Sequence, residues 1–509
     1  MVGRMTEACF LLLRIDDPAA ARSWLETAPV TTAVERKPPP EKALQVAFTC
    51  EGLQALQIPP EVIQQFSPEF MSGMAGEESR SRRLGDVGAN APSRWQWGSA
   101  EKIPHVLVLL YAEPGKLETW KQTVQGDSWD HAFTVLDRLE AERLSDTEPF
   151  GFKDGISQPT IDWDGERKPD KSERLEYSNL VTLGEFLLGY PNEYGKYSTR
   201  PLVDRGDDRT AGLLPAEEDP DKRDLGRNGC YLVFRQLAQD VSGFWKFLDG
   251  EARGDPHGRT NLAEAMVGRK MNGEALVPLG DRQIEGLDPD AKDNIRLNQF
   301  TYEPDSDGAR CPLGAHIRRA NSRNGDLPYG TSGLLSRLIR TLGFGRKGIR
   351  DDMVSSTRFH RILRRGRAYG TAPSQERDFQ SGQADNRERG LYFICLNANI
   401  GRQFEFIQNA WIMGSKFDGL SEESDPLLGN RLPIPGCPET STFSIPQPDG
   451  VRRRITGLPQ FVTVRGGAYF FLPSIRALWY MATQVCGFLK VEPIAQQSER
   501  LAPRALFCE

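Results

Sequence analysis

The sequence predicts an α+β fold in which antiparallel sheets carry helices on one side. Short apolar runs typical of strands are each followed by a short amphipathic stretch typical of a helix. This strand–helix unit occurs in both halves of the 509-residue chain. Helices this short, between strands that look buried on one face, favour antiparallel pairing. We therefore expect two similar α+β lobes.

The first half contains three such units. In the first of them, Asp16 or Asp17 can cap the helix, and Pro18 suits its first turn. In chain order the units are CFLLLRI with DDPAAARSWLETA, ALQVAFT with CEGLQALQI, and HVLVLLYA with GKLETWKQTVQ.

The second half repeats the pattern, with CYLVFRQL before AQDVSGFWKFL and LYFICLNA before NIGRQFEFIQNAWI. The late segment FVTVRGGAYFFLP is predicted to form a hairpin around Gly466 and Gly467, and SIRALWYMATQVCGFL a last helix. A charged stretch rich in Pro and Gly, 201–228, is predicted to be a linker, and 321–356 a surface insertion. These boundaries give lobes at residues 1–220 and 221–509.

The composition limits the classes of function. Lys and Arg number 64 against 70 Asp and Glu, a formal net charge of −6, whereas a nucleic-acid-binding protein would carry a basic stripe. No apolar run has membrane-spanning length, and the apolar run near the N-terminus is too short for a secretory signal. The 8 cysteines are scattered without a CxxC pair, which is typical of a reducing compartment. We expect a soluble cytoplasmic protein without nucleic-acid or membrane partners.

The small number of histidines limits the metal chemistry. The chain has 5, too few for a multi-histidine metal cage unless carboxylates supply most ligands. There is no GxGxxG after a strand, no P-loop, no HExxH and no GxSxG. One histidine can still be the only protein ligand of a haem iron. Four of the five stand at a strand start, in polar segments or among basic residues: His105, His131, His257 and His360.

His316 has the neighbourhood that best suits haem ligation. In CPLGAHIRRANSR, the small residues Gly314 and Ala315 precede it and would let a planar macrocycle come close. Arg318, Arg319 and Arg323 follow it and could meet haem propionates. From this segment alone, a structural histidine remains the more common explanation.

Two further segments could carry chemistry. In EPFGFKDGISQP, Gly151 and Gly155 flank Asp154, so a carboxylate could project from a loop into a pocket, although an Asx turn explains the same residues. In RILRRGRAYG, a buried guanidinium could stabilise negative charge on a peroxide oxygen. Four arginines in seven residues fit a solvated patch equally well.

Together these segments resemble the dye-decolorizing peroxidases. The resemblance is carried by GFKDGISQP, CPLGAHIRRANSR, FHRILRRGRAYG, GLYFICLNANIGRQFEFIQNAW and SDPLLG, which follow the family's order from about residue 146 to residue 429. It implies two ferredoxin-like lobes, with one haem b per chain in the C-terminal lobe. It also implies a peroxidase that uses hydrogen peroxide to oxidise dyes and phenolic or aromatic donors in one-electron steps through a ferryl intermediate.

The resemblance also implies roles for single residues at the peroxide side of the haem. Asp154, followed by Gly155, matches the distal aspartate of the family's GxxDG motif. Arg364 matches the distal arginine, and Arg365 is the alternative if the register shifts by one residue. The long stretch between His316 and Arg364 resembles the larger, cytoplasmic-type subgroup without a secretion signal.

On the other side of the haem, His316 matches the proximal iron ligand. Asp425 of SDPLLG matches the carboxylate that accepts a hydrogen bond from that imidazole, and Glu405 is the second choice.

Two other functions fit the same residues. A haem carrier or iron-handling protein of this fold would share His316 and differ in turnover, and a cofactor-free interaction module would use the motif residues for packing and turns. We also expect a homodimer, from the aromatic content and the symmetry of the lobes. Large donors could be oxidised at a surface aromatic, for which Trp411, Trp479 and Tyr480 are candidates, unless all three are core residues.

Overall fold

The fold is described from a computed structural model of the chain. The residues that the structure describes are 4–33, 37–126, 128–142, 147–166, 177–206, 208–279, 284–287, 292–323, 357–370, 388–432, 440–447 and 450–483.

The strands and helices of these residues are short, with a few longer strands. The strands are β1 (Glu7–Ile15), β2 (Lys42–Phe48), β3 (Val106–Ala112), β4 (Phe133–Glu140), β5 (Thr160–Asp162), β6 (Leu180–Thr182), β7 (Leu202–Asp204), β8 (Lys222–Asp224), β9 (Cys230–Gln239), β10 (Leu363–Arg364), β11 (Arg367–Tyr369), β12 (Gly390–Asn397), β13 (Phe443–Ile445), β14 (Arg453–Ile455) and β15 (Val462–Leu472).

The α-helices are α1 (Pro18–Thr27), α2 (Cys50–Ala55), α3 (Pro60–Ile63), α4 (Pro68–Ser72), α5 (Glu78–Leu84), α6 (Leu117–Gln125), α7 (Trp129–Ala132), α8 (Val241–Glu251), α9 (Pro256–Val267), α10 (Lys292–Asn298), α11 (His316–Ala320) and α12 (Ile475–Ala482). Two further helical segments, Gly401–Glu405 and Ile407–Ile412, have wide turns. Single 3₁₀ turns occur at Gly88–Asn90, Pro92–Arg94, Leu183–Glu185, Asp208–Gly212, Glu303–Asp305, Thr357–His360 and Phe417–Gly419.

One antiparallel sheet of nine strands forms the centre of the molecule. Its order is β10-β12-β9-β15-β2-β3-β1-β4, and β11 pairs with the remaining part of β12. The strands of the first half therefore lie side by side, as do those of the second half. The two groups meet where β15 pairs with β2, at Phe471 opposite Phe48. This confirms the α+β fold with antiparallel strands, while the lobe boundary at residue 220 stays a prediction.

The sheet is buried on both faces, and β1 shows why its sequence is apolar throughout. Successive side chains of a strand point to opposite faces. Cys9, Leu11 and Leu13 belong to one core cluster, which also contains helix residues such as Trp24 of α1. Phe10 and Leu12 belong to a second cluster, on the face covered by the segments around β5 and β6. An almost continuous apolar run is thus the expected pattern for such a strand.

Helix capping follows the sequence closely at α1. Asp17 accepts hydrogen bonds from the amides of Ala19 (2.7 Å) and Ala20 (3.1 Å), with Pro18 in the first turn. Asp16 instead accepts from Arg14 and Thr134. The cap is therefore the second of the two predicted residues.

The structure corrects the prediction of a late hairpin. Residues Val462–Leu472 form one continuous strand, β15, which pairs with β9 along its length and has a bulge between Val464 and Gly466. Gly466 serves a close approach rather than a turn, because a Cβ there would lie 2.5 Å from the indole of Trp97. The predicted helix after residue 483 lies outside the described residues.

The two predicted irregular stretches differ in outcome. The stretch 201–228 is not only a linker, since β7 and β8 pair within it. Arg200, just before it, donates to the buried carboxylate of Asp224 at 2.6 Å. Most of the predicted insertion 321–356 lies outside the described residues.

Two further features of the described residues bear on chemistry. No helix among them is long and apolar enough to cross a membrane. The cysteines that the structure describes are buried free thiols: Cys9, Cys50, Cys230, Cys311 and Cys395.

Candidate active site

His316 begins the short helix α11, and its imidazole is held by a buried carboxylate. Nδ1 lies 2.8 Å from Oδ2 of Asp425. The other oxygen of Asp425 accepts from the amides of Leu427 (2.9 Å) and Leu428 (2.8 Å), so this carboxylate is fully used. With Nδ1 engaged, Nε2 is the ring nitrogen left to bind a ligand.

The electrostatics of this pair favour a charge on both members. Burial acts to lower the pKa of His316, but Asp425 outweighs it and raises that pKa above its ordinary value. Burial acts to raise the pKa of Asp425, but His316, the Leu428 amide and Arg319 hold it below its ordinary value. Asp425 is therefore ionised, and its negative charge makes the imidazole more electron-rich and more basic.

Glu405, the alternative partner of His316, lies elsewhere. Its carboxylate accepts from Nε of Arg80 at 2.8 Å and from the hydroxyl of Tyr469 at 2.9 Å. Of the two predicted carboxylates, Asp425 is the one that contacts the histidine.

Asp154 and Arg364 form the second pair of the site. The Arg364 guanidinium donates to Oδ1 of Asp154 at 3.2 Å, and the Arg364 amide donates to the side chain of Gln158 at 3.0 Å. The strand β10 and the loop that carries Asp154 are thus fastened at two points. Arg365 donates to the carbonyl of Arg364 at 2.8 Å, and its charge also acts on Tyr111.

Asp154 stays ionised despite its surroundings. Burial acts to raise its pKa, but Arg364, the amide of Gly155 and His316 together hold the pKa below its ordinary value. Gly155 has a φ of 79°, a left-handed conformation that favours glycine. This explains why a glycine follows the carboxylate.

Asp154, Arg364 and His316 lie close together and are partly accessible: 45% of the Asp154 side chain, 32% of Arg364 and 25% of His316. We call the space that these three side chains border the cavity. Because His316 also lowers the pKa of Asp154, the two pairs face the same space.

Three arginines, Arg269, Arg323 and Arg361, form a cluster beside Arg364. Among the described residues, no carboxylate forms an ion pair with any of these three. Arg269 donates to Ser157 in the loop that carries Asp154. Burial is the main cause that lowers the pKa of Arg269 to about 10, and the charges of Arg323 and Arg364 lower it further. Arg361 donates to the hydroxyl of Tyr177, whose pKa falls to about 8 because Arg323 and Arg361 outweigh its burial.

The guanidinium groups of this cluster donate to neutral oxygens, so their positive charge is not balanced by an acidic side chain among the described residues. The two propionates of a haem would balance that charge, and His316 would offer Nε2 to its iron. The described residues contain no group of three or more His, Cys, Asp and Glu side chains that could hold a bare metal ion. The residues present therefore fit haem better than a directly coordinated metal.

The arginines predicted from the His316 segment, Arg318, Arg319 and Arg323, are all buried. Arg323 belongs to the cluster, since its charge acts on Tyr177 and Arg269, although its N–H groups donate to backbone oxygens of Asn298 and Phe300.

Arg318 has a similar environment. It is 1% exposed and donates to the carbonyls of Asp305, Ser306 and Cys311, so its guanidinium holds the turn before α11 together. A role of Arg318 in binding a propionate stays a prediction.

Three residues near the cavity were not assigned from the sequence. Gln158 stands in the motif ISQP, which was a usable signal for it. Arg269 and Tyr177 reach the cluster through tertiary contacts that no local pattern announces. Of the three predicted surface aromatics, Trp411 and Tyr480 are 5% exposed, and Trp479 is 53% exposed. Only Trp479 remains a candidate for contact with large donors.

Comparison with known sequences gives one consistent group of relatives. The chain is 26% identical over 498 residues to "Peroxidase 2" of Mycetinis scorodonius, covering 92% of this chain and 83% of that protein. It is 27% identical over 456 residues to the "Multifunctional dye peroxidase" of an Amycolatopsis species, covering 86% and 81%. No family model matches the chain.

Solved structures agree with these sequences. A decolorizing peroxidase from Auricularia auricula-judae superposes with a TM-score of 0.64 at 25% identity, covering 94% of this chain and 96% of that one. A dye-decolorizing peroxidase in complex with 2,6-dimethoxyphenol has the same fold, with a TM-score of 0.65 at 23% identity over 94% and 97% of the two chains. On sequence and fold together, the chain is similar to the dye-decolorizing peroxidases over most of its length.

Proposed function

We propose that this protein is a haem-dependent peroxidase that uses hydrogen peroxide to oxidise dyes and phenolic or aromatic donors. The observation that carries the proposal is that the pair Asp154–Arg364 lies near the pair His316–Asp425, close enough for His316 to lower the pKa of Asp154. The names of the relatives support it, since they include dye peroxidases, and one structural neighbour holds a phenol.

The cofactor that fits the cavity is one haem b per chain. His316 would bind its iron through Nε2, and Arg323 with its neighbours Arg269 and Arg361 would balance the propionate charge. When bound, the haem supplies a redox-active iron that accepts two oxidising equivalents from peroxide and returns them as single electrons. One hydrogen peroxide and two donor molecules are consumed, and two waters and two donor radicals are formed.

Asp154 moves the proton in the peroxide step. As an ionised carboxylate it takes a proton from one peroxide oxygen and returns it to the other, so that water can leave as the O–O bond breaks. Arg364 holds Asp154 in place and offers an N–H to the departing oxygen, where negative charge develops. Gly155 lets the loop turn beside this carboxylate.

On the opposite side, Asp425 orients the imidazole of His316. A carboxylate that accepts from Nδ1 fixes the tautomer and makes Nε2 a stronger donor to a metal. The ion pair thus tunes the proximal side without touching peroxide.

The test is made on protein reconstituted with haem. We expect a Soret absorption band that is lost in His316→Ala, and peroxide turnover with 2,6-dimethoxyphenol that is lost in Asp154→Asn while the band remains. Haem binding without turnover in the unmodified protein would contradict the proposal and leave a haem carrier. Absence of haem binding would leave an interaction module.

Two other expectations stay predictions. A homodimer is tested by sedimentation velocity, and a cytoplasmic location by cell fractionation.

A further inference from the structure

A third carboxylate, that of the half-buried Glu148, lies at the base of the loop that carries Asp154. Its Oε1 accepts from the amide of Phe152 at 3.0 Å, and its Oε2 accepts from the amide of Phe150 at 3.0 Å. Oε2 also accepts from Nε2 of Gln239 at 2.8 Å. One carboxylate therefore organises two amides of the loop and joins the loop to the end of β9.

The backbone of the loop closes around the same residue. The Glu148 amide donates to the carbonyl of Phe152 at 2.9 Å, and the Gly151 amide donates to the carbonyl of Glu148 at 2.8 Å. Gly151 has a φ of 100°, so the turn depends on a conformation that other residues rarely adopt. Phe150 and Phe152 are buried on either side of it. The position of Asp154, two residues after Phe152, follows from this turn.

Gln239 provides a rigid anchor and a second hydrogen-bonding arrangement. It ends β9, whose ten residues are all buried. Its Oε1 is buried without a hydrogen-bond partner. Rotating the amide by half a turn would bring Oε1 to Glu148, where it could accept a proton from a carboxylic acid. The site thus suits both an ionised and a protonated Glu148.

We propose that Glu148 is a positioning residue whose ionised form holds the loop so that Asp154 meets Arg364. Protonation of Glu148 at Oε2, with rotation of the Gln239 amide, weakens the bond from the Phe150 amide and loosens the loop. This inference rests on the proposed peroxidase function, because it assigns Asp154 a part in the peroxide step.

The surroundings of Glu148 set the pH range in which its carboxylate takes up a proton. Burial raises its pKa to about 7, and the amides of Phe150 and Phe152 with Gln239 only partly oppose that effect. The negative charge of Asp154 raises the pKa further. Among the described residues, the hydrogen-bond donors to this carboxylate are two backbone amides and the Gln239 side chain, all neutral, whereas Asp154 and Asp425 each contact a cationic or protonatable partner.

The sign of the linkage follows. Because the folded-state pKa is above the ordinary value, Glu148 favours the folded state most at low pH, and this contribution is lost as the pH rises through about 7. The ionised form that orders the loop is therefore maintained at the expense of folding stability.

The first experiment measures amide hydrogen exchange in haem-loaded protein, as protection factors at pH 6 and pH 8. We expect protection of the Phe150 amide to be about tenfold lower at pH 6, the effect of one lost hydrogen bond, and that of Phe152 to change little. In Glu148→Gln, which is isosteric and cannot ionise, the two values should coincide. Equal protection of Phe150 at both pH values in the unmodified protein would overturn the inference.

The second experiment measures the rate constant for reaction with hydrogen peroxide against pH. We expect a step near pH 7, with about tenfold faster reaction on the alkaline side, since small displacements of a reacting group are costly. Glu148→Gln should lack the step and keep the slower rate at all pH values. Gln239→Leu, which removes a donor to the carboxylate, should move the step to higher pH.

The controls separate this inference from its parent proposal. Glu7→Gln changes another carboxylate that accepts a backbone amide, that of Gly115, and should leave the step unchanged. A step that persists in Glu148→Gln contradicts the role of Glu148. Absence of turnover in the unmodified protein instead contradicts the proposed peroxidase function. The hydrogen-exchange experiment then still tests whether Glu148 orders the loop. If Glu148→Gln does not fold, the shift in Gln239→Leu decides.

Discussion

At the scale of single residues, the site depends on how three carboxylates are kept in different protonation states. Burial acts to raise the pKa of all three. Asp154 has Arg364 beside it and Asp425 has His316, and both pKa values lie below the ordinary range. Glu148 has only neutral donors, and its pKa is raised to about 7. A neighbouring cation is what separates a permanent anion from a group that titrates near neutrality.

The first prediction concerns Asp154. The lowered pKa of Asp154 keeps its carboxylate ionised in mildly acidic solution. Between the pH of the step assigned to Glu148 and about pH 5, the rate constant for reaction with peroxide should therefore stay constant. Asp154→Asn should reduce that rate constant on the order of 10²–10³-fold at every pH. Stopped-flow kinetics measures both, and Asp130→Asn on α7 is the matched control. A rate that collapses below about pH 6 in Glu148→Gln would exclude Asp154 as the base.

The second prediction concerns Asp425. Asp425→Asn keeps the shape of the side chain but removes the charge that raises the pKa of His316. Loss of such a partner typically weakens binding at the metal about 10–100-fold, so haem affinity should fall by that range. Titration of the apoprotein with haem, followed by absorption, measures it. Glu405→Gln should leave the affinity unchanged, because Glu405 contacts Arg80 and Tyr469 instead.

At the scale of elements, the strand–helix units were predictable because their periodicity is local. The segment around Gly466 was not, because a Gly-Gly pair is typical of a turn and also of close packing. In β15 the second meaning applies, since the indole of Trp97 occupies the space where a side chain would be. The partner that decides between the two meanings lies more than 300 residues away in the sequence.

The third prediction follows from that contact. Gly466→Ala places a methyl group 2.5 Å from the Trp97 ring, and the overpacking should lower the free energy of unfolding by about 1–3 kcal/mol. Gly250→Ala on α8, where nothing lies within 4 Å, should instead be neutral or slightly stabilising. Denaturant titration compares the two. Equal stabilities would show that the strand can shift away from Trp97.

The candidate site likewise contains residues that the sequence predicts and contacts that it does not. Asp154, His316, Arg364 and Asp425 stand in motifs, so a single sequence could propose them. The supporting contacts of Glu148 with Gln239 join positions 91 residues apart. Such pairs are set by how the loop lies on the sheet, and no local spacing predicts them.

At the scale of the whole molecule, the two halves share one sheet and one main core. That core runs from Cys9 of β1 to Ala482 of α12. Separate domains would each have a core of their own. In their packing, the two lobes therefore do not behave as independent domains, because they share a core.

The fourth prediction is that the protein unfolds in one step. Far-ultraviolet circular dichroism and tryptophan fluorescence should report the same midpoint in denaturant, because neither half can lose its part of the sheet alone. The nine tryptophans lie in both halves, so fluorescence reports on each. Two separated transitions would show that the junction of β15 with β2 is weak.

The buried cysteines have a consequence for a protein that works in the presence of an oxidant. Peroxide attacks the thiolate form of cysteine and converts it stepwise to sulfenic and higher acids. Burial raises the pKa of Cys9 and Cys50 to about 11 and of Cys230 and Cys311 to about 12. These thiols stay protonated at neutral pH and out of reach of the solvent. The fold that holds the proposed haem thereby also protects these sulfurs from the protein's own substrate.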